Sequence, residues 1–243
     1  KTMMTTMRWL PMLEVRDLRA SYGKVEVLQG VSLDVGDGEI VGLLGRNGVG
    51  KTTTLKSIMG LVPASSGHAS FDGVDLTGLA AHKVPRQGVG YVPQGRGIFP
   101  NLSVEENLFL GLPRDPSREQ SELVYDRFPR LKERLSQKGG TLSGGAQQQL
   151  AIARCLVMQP KLIILDEPTE GIMPILVKEI RSEIKKINGT GVSILLVEQN
   201  LVTAFKICSR IYLMEKGTIV HESSAADLKT QPDIVHRYLG MAA

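Results

Sequence analysis

G-E-I-V-G-L-L-G-R-N-G-V-G-K-T-T-T-L-K-S-I-M, residues 38–59, decides the fold. Residues 39–44 form a nearly continuous apolar run, the pattern of a strand buried on both faces of a parallel sheet. The run ends in Gly45, Arg46, Asn47, Gly48, Val49, Gly50, Lys51 and Thr52, with Thr53 following, and residues 52–59 have helical composition. Glycines let the backbone fold tightly enough for successive N–H groups to converge on one point. The start of a helix adds partial positive charge at the same point. This G-x-x-x-x-G-K-T spacing between strand and helix predicts a phosphate cradle. Lys51 would reach the β- and γ-phosphates, and the Thr52 hydroxyl would face Mg²⁺. A glycine-rich turn with an incidental lysine is the plainer reading, and the two flanking elements weigh against it. The loop alone says only that a nucleotide binds.

A second site signal lies further along. L-I-I-L at residues 162–165 is followed by Asp166 and Glu167. Two acids after a strand are often a solvated turn. Ligands of open parallel sheets, however, bind beyond the carboxyl ends of the strands. Next to a phosphate loop, Asp166 fits a Mg²⁺ ligand and Glu167 a general base for an attacking water.

Around these motifs, alternation predicts strands over residues 13–18 and 28–35. Shorter strands are expected at 71–75, 89–93 and 193–197. A hairpin is expected over 211–214 and 218–221 around Lys216-Gly217. From about residue 101 to 158 the character turns helical, and Ser103 with Glu106 has capping-box spacing. Residues 111–117 hold two prolines and read as a surface loop. A charged helix is expected over 176–187, and another short one in the tail. Residues 1–11 read as an N-terminal extension without the apolar core of a signal peptide.

The whole chain sets bounds on this reading. It has 243 residues, 42% hydrophobic and 22% charged, with net charge +4 and pI near 9.1. That suits one large α/β unit with a real core. No dense basic stripe interleaved with aromatics points to nucleic acid. Cys155 and Cys208 lie far apart, which favours a reducing compartment. The four histidines lack metal-ligand spacing. No apolar run approaches the roughly 20 residues of a spanning helix, so the expectation is a cytosolic or peripheral protein.

L-S-G-G at Leu142, Ser143, Gly144 and Gly145, opening a helix, resembles the signature of ATP-binding cassette proteins. Tyr22 stands where that family places an aromatic on adenine. Gln94 matches the glutamine that senses Mg²⁺ and meets the membrane partner. The resemblance runs from about Leu13 to His221. It implies an α/β P-loop NTPase fold, a parallel-sheet core with an N-terminal antiparallel β subdomain and an inserted α-helical subdomain. The cassette would occupy residues 12–243, with the insertion at roughly 95–160. Two cassettes would sandwich two ATP molecules. Residues 142–146, with Ala146 in the fifth place, would meet the γ-phosphate held by the opposite cassette. Thr52, Gln94 and Asp166 would hold Mg²⁺, and Lys51, Glu167 and Gln199 would act in hydrolysis.

Three positions depart from the common pattern. Ala146 replaces a usual Gln or Glu, Met173 a usual aspartate, and Gln199 the switch histidine. A glutamine amide still donates a hydrogen bond but cannot carry charge. With G-R-G-I-F-P-N-L-S-V-E-E-N-L at residues 95–108, these features resemble the second ATPase subunit of bacterial uptake systems for branched-chain amino acids. Relatives for urea and short amides are similar, and R-N-G-V-G-K-T and T-E-G-I lean toward them. The resemblance implies integral membrane permease subunits, a second nonidentical cassette, and indirectly a periplasmic substrate-binding protein. It also implies a place on the cytoplasmic face of the inner membrane. Phe99 and Leu102 would be either docking contacts or core of the helical insertion. Rival readings are a cassette ATPase in cofactor assembly, a metabolic kinase and a structural adaptor.

Overall fold

The computed structural model describes residues 11–240. The extension read at residues 1–11 therefore lies, Pro11 apart, outside the described residues. The central sheet is built on the apolar runs. β3 (Ile40–Leu44) lies between β8 (Ser193–Glu198) and β9 (Arg210–Glu215), parallel to both. Beyond β8 come β7 (Leu162–Asp166) and β6 (Val89–Val92), also parallel. β10 (Thr218–Ser224) closes the other edge as the antiparallel partner of β9. The expected hairpin is present, and its turn residues Lys216 and Gly217 have φ of 45° and 80°, the positive values that a two-residue turn needs to match strand twist.

The period-two rule explains why these strands are apolar throughout. Ile163, Leu165, Ile194, Leu196 and Leu213 point into one core, while Leu162, Ile164, Leu195, Val197 and Val41 point into another. Each strand is buried on both faces, so polar alternation has no place in it.

The second core is roofed by an antiparallel sheet of β1 (Leu13–Tyr22), β2 (Val25–Val35), β4 (Ala64–Phe71) and β5 (Val74–Asp75), in the order β2-β1-β4-β5. The structure corrects the strand expected over 71–75. Phe71 ends β4, and Asp72 and Gly73, at φ 48° and 77°, form a turn into the short β5. The preceding A-S-S-G-H-A-S has no β-branched residue, so its strand state comes from pairing with β1 and not from propensity. Arg210 fastens β9 to this layer through Asp34 of β2 and to the turn before β3 through Glu39, each at 2.8 Å, with Tyr212 Oη accepting at 2.6 Å.

The first core is covered by helices. Between β6 and β7 lie α2 (Val104–Phe109), α3 (Arg118–Arg127), α4 (Pro129–Lys132) and α5 (Gly144–Leu156). Ser103 caps α2 in the expected capping box, and Ser117 with Gln120 makes a second before α3. α6 (Pro174–Asn188) buries Val177, Ile180, Ile184 and Ile187 at helical spacing. α7 (Leu201–Ile207), capped by Asn200, was not foreseen, being only seven residues long. The tail carries two short helices, α8 (Ala225–Lys229) and α9 (Pro232–Leu239), not one. Phe99 is 46% exposed, so it is not a core residue of the insertion.

Candidate functional site

The strand–loop–helix unit read from residues 38–59 is β3, the loop at 45–50, and a helix, α1 (Lys51–Ile58). Gly50 precedes α1 with φ 112°, a conformation closed to other residues without strain. A Cβ there would also come within 2.9 Å of Met214. Lys51 is 4% exposed, and its Nζ donates to the carbonyls of Gly45 at 2.8 Å and Arg46 at 3.1 Å. The same Nζ lies 3.4 Å from Glu167 Oε1. The lysine is thus fixed by its own loop, over which Arg46, Asn47 and Gly48 are exposed.

β7 delivers the two acids. Thr52 Oγ1 donates to Asp166 Oδ1 at 3.2 Å, and Tyr91 Oη to Asp166 Oδ2 at 3.4 Å. Burial pushes the Asp166 carboxyl above the usual carboxylate range; the Thr52 bond opposes this, and the neighbouring Glu167 charge reinforces it. Burial and the facing Asp166 likewise raise the Tyr91 phenol. Glu167 sits at φ 49°, rare for a residue with a Cβ, and its N–H donates to Val197 O at 2.9 Å. Such a conformation persists only where the surroundings hold it, and here the β7–β8 pair does.

Gln94, just past β6, donates to Glu167 Oε2 at 3.4 Å and to Glu170 Oε2 at 2.9 Å. Thus Lys51, Thr52, Gln94, Asp166 and Glu167, separated by up to 116 residues, gather in one place: Thr52 bonds Asp166, Gln94 bonds Glu167, and Lys51 pairs with Glu167. Gln199, just past β8, is exposed and lines a cavity of about 770 Å³ with Glu167, Glu170 and Glu198. Tyr22, at the end of β1, is 49% exposed.

Residues 142–146 lie elsewhere. Ser143 caps α5, accepting from the Ala146 N–H at 3.4 Å. Ala146 has no acceptor for the return bond, so the capping box seen at Ser103 and Ser117 is missing. Gly145 packs against α6 so closely that a Cβ would come within 2.5 Å of Leu176. No hydrogen bond among the described residues joins 142–146 to the phosphate loop of the same chain.

Sequence reasoning missed four residues that the fold brings here: Tyr91, Arg96, Glu170 and Glu198. Arg96, at φ 74°, donates to Gln147 Oε1 at 2.7 Å, joining the Gln94 loop to α5. Only tertiary structure could show these pairings. The one local hint was an acid, Glu198, ending the apolar run at residues 194–197.

This cluster and topology define a P-loop nucleotide hydrolase, and the chain belongs to the ABC transporter family, whose profile matches residues 28–170. It is an ATP-binding cassette that hydrolyses ATP, which displaces the kinase and adaptor readings. It is 43% identical over 232 residues to the high-affinity branched-chain amino acid transport ATP-binding protein BraG of Pseudomonas aeruginosa, covering 94% of this chain and 100% of BraG. It is 36% identical to the lipopolysaccharide export system ATP-binding protein LptB of Escherichia coli K12, covering 94% and 97%. An ABC transporter cassette solved in its ADP conformation superposes with TM-score 0.83 at 25% identity, over 96% of this chain and 100% of that one. A dimeric cassette in a post-hydrolysis state bound to ADP and Pi gives 0.78 at 25% identity, over 88% and 99%. No helix among the described residues is long and apolar enough to cross a membrane.

Proposed function

We propose that this chain is the ATPase subunit of an importer for branched-chain amino acids, docked on the cytoplasmic face of the inner membrane against permease subunits. The observation that supports the cargo most is the 43% identity to BraG over the full length of BraG. It exceeds the 36% identity to an export cassette. Urea and short amides, toward which the R-N-G-V-G-K-T and T-E-G-I segments lean, become the second reading.

In the proposed cycle Tyr22 stacks on adenine, and residues 45–53 wrap the phosphates with Lys51 on the β- and γ-oxygens. Glu167 takes a proton from water as the water oxygen bonds the γ-phosphorus and the bridge to ADP breaks. Gln199 donates its amide to the γ-phosphate without adding charge. Thr52, Asp166 and Gln94 offer one hydroxyl, one carboxylate and one amide oxygen, an all-oxygen set that suits Mg²⁺. So few protein ligands fit an ion that shares its coordination with nucleotide phosphates, and when bound it would neutralise their charge.

The capped start of α5, with Ser143, Gly144 and Gly145, is an anion site by its orphan N–H groups. We assign it to ATP on a second, nonidentical cassette. Met173 and Ile175, each 63% exposed, flank the loop after Glu167 and suit that interface. The permease face would be the cleft of about 520 Å³ that includes Leu61, Tyr91, Arg154 and Met158. Exposed Phe99 lies beside it, 5.5 Å under Arg154, and Leu61 and Leu110 are more than half exposed. Exposed apolar side chains gathered beside one cleft suit a protein contact. The helical insertion at roughly 95–160 would carry part of that face. A periplasmic binding protein would bring cargo from the other side of the membrane.

Cells deleted for this chain are expected to lose most high-affinity uptake of labelled leucine and to regain it with the wild type but not with Lys51→Ala. Uptake of labelled urea should not change. Loss of urea uptake with leucine uptake intact would move the assignment to the second reading.

A further inference from the structure

Glu198, the last residue of β8, is 2% exposed, and among the residues assigned above to nucleotide or Mg²⁺ it bonds only the backbone N–H of Gln199. Both of its oxygens are nonetheless occupied. Oε1 accepts from the Thr169 N–H at 3.2 Å and the Thr169 hydroxyl at 2.6 Å. Oε2 accepts from the N–H groups of Gln199 at 3.2 Å and Asn200 at 3.1 Å. All four partners are donors, the arrangement that an ionised carboxylate requires. Burying a carboxylate on neutral donors is costly compared with an apolar residue in the same space. The bonds therefore call for a reason beyond filling the core.

The identity of the donors supplies that reason. Thr169 follows Glu167 by two residues, in the loop that Glu167 opens with its left-handed φ. Gln199 and Asn200 form the loop after β8, and Asn200 Oδ1 in turn caps α7 through the Thr203 N–H at 3.0 Å. We propose that Glu198 is a positioning residue, a buried clamp that holds the loop of Glu167 and the loop of Gln199 at a fixed separation. One carboxylate spans two loops that approach the γ-phosphate from different strands. Its oxygens lie one on each loop, so a shift of either loop breaks two bonds. The inference rests on the roles proposed for Glu167 and Gln199.

The test compares kcat, KM, nucleotide affinity and thermal stability for wild type, Glu198→Gln, Thr169→Val, Thr169→Ser and the Glu198→Gln/Thr169→Val pair. The full chain is purified with its co-expressed partner subunits, and Glu167→Gln serves as the reference. Glu198→Gln keeps the shape but turns an NH₂ group toward N–H donors. Misplacement by about 1 Å can cost on the order of 100-fold, so kcat is expected to fall about 10- to 100-fold while ATP affinity stays within about 2-fold. Thr169→Ser, which keeps the hydroxyl, should run near the wild-type rate, and Thr169→Val should be slowed. The double variant should be no slower than Glu198→Gln alone, because both remove one clamp. Wild-type kcat in Glu198→Gln, with Glu167→Gln inactive, would overturn the clamp and leave the base assignment standing. An active Glu167→Gln would instead overturn the base assignment and the clamp with it. Should Glu198→Gln not fold, the threonine pair decides: a slow Val variant beside a fast Ser variant supports the clamp, and equal wild-type rates refute it.

Discussion

Glu167→Gln is expected to cut ATP turnover by about 100- to 10,000-fold, the span that a positioned general base contributes, while ATP remains bound. The structure explains why these two effects separate. Glu167 Oε1 lies 3.4 Å from Lys51 Nζ, but Lys51 is held independently by the carbonyls of Gly45 and Arg46. Thr52 is held by Asp166. An amide at position 167 keeps the volume and can still accept from Gln94, yet it cannot take up a proton at neutral pH. With the phosphate loop intact and hydrolysis stopped, ATP should accumulate in the site, and with a competent partner present the cassette pair should stay closed. Single-turnover hydrolysis with size-exclusion chromatography in ATP and Mg²⁺ checks both. A variant that hydrolyses at the wild-type rate would remove Glu167 from the chemistry.

Lys51→Ala is expected to act one step earlier, on binding. A cation about 4 Å from a phosphate charge is worth roughly 4 kcal/mol at the effective dielectric of a protein site, close to 1,000-fold in affinity. Lys51 is almost fully buried, so little solvent screening reduces that figure, although its bonds to Gly45 and Arg46 must be exchanged for phosphate. The loop also loses the ammonium that gathers those two carbonyls. ATP affinity should therefore fall by about 100- to 1,000-fold, as equilibrium titration with a fluorescent ATP analogue would read. Near wild-type affinity would mean that the backbone N–H groups and the α1 start carry the anion alone.

What the sequence made legible follows from how local each signal is. β3, the phosphate loop and α1 are contiguous, and their apolar run, glycines and lysine each point to the same structure. β7 was legible for the same reason, a buried strand with two acids at its end. β4 was not, because A-S-S-G-H-A-S-F becomes a strand only by pairing with β1. α7 was too short to show a period. The site divides along the same line. Lys51, Asp166 and Glu167 could be named from residues alone, whereas Tyr22, Gln94 and residues 142–146 needed family resemblance. Glu170 and Glu198 needed the fold, since their partners lie 76 and 29 residues away.

The departures can also be placed. Ala146 leaves α5 capped from one side only. Met173 presents an exposed apolar side chain where the family often has an acid. Gln199 faces the cavity beside Glu167 with its backbone N–H held by Glu198. Two of the three lie on surfaces proposed to meet the second cassette, which fits a pair of unlike subunits.

The central claim, that this chain works as one of two cassettes beneath a membrane permease, is tested most directly by what accompanies it. The chain would be affinity-purified from detergent-solubilised native membranes, and its companions identified by mass spectrometry. The account predicts two polytopic membrane proteins and a second, different cassette in stoichiometric amounts. Recovery of the chain with only non-membrane partners, or with none, would contradict it.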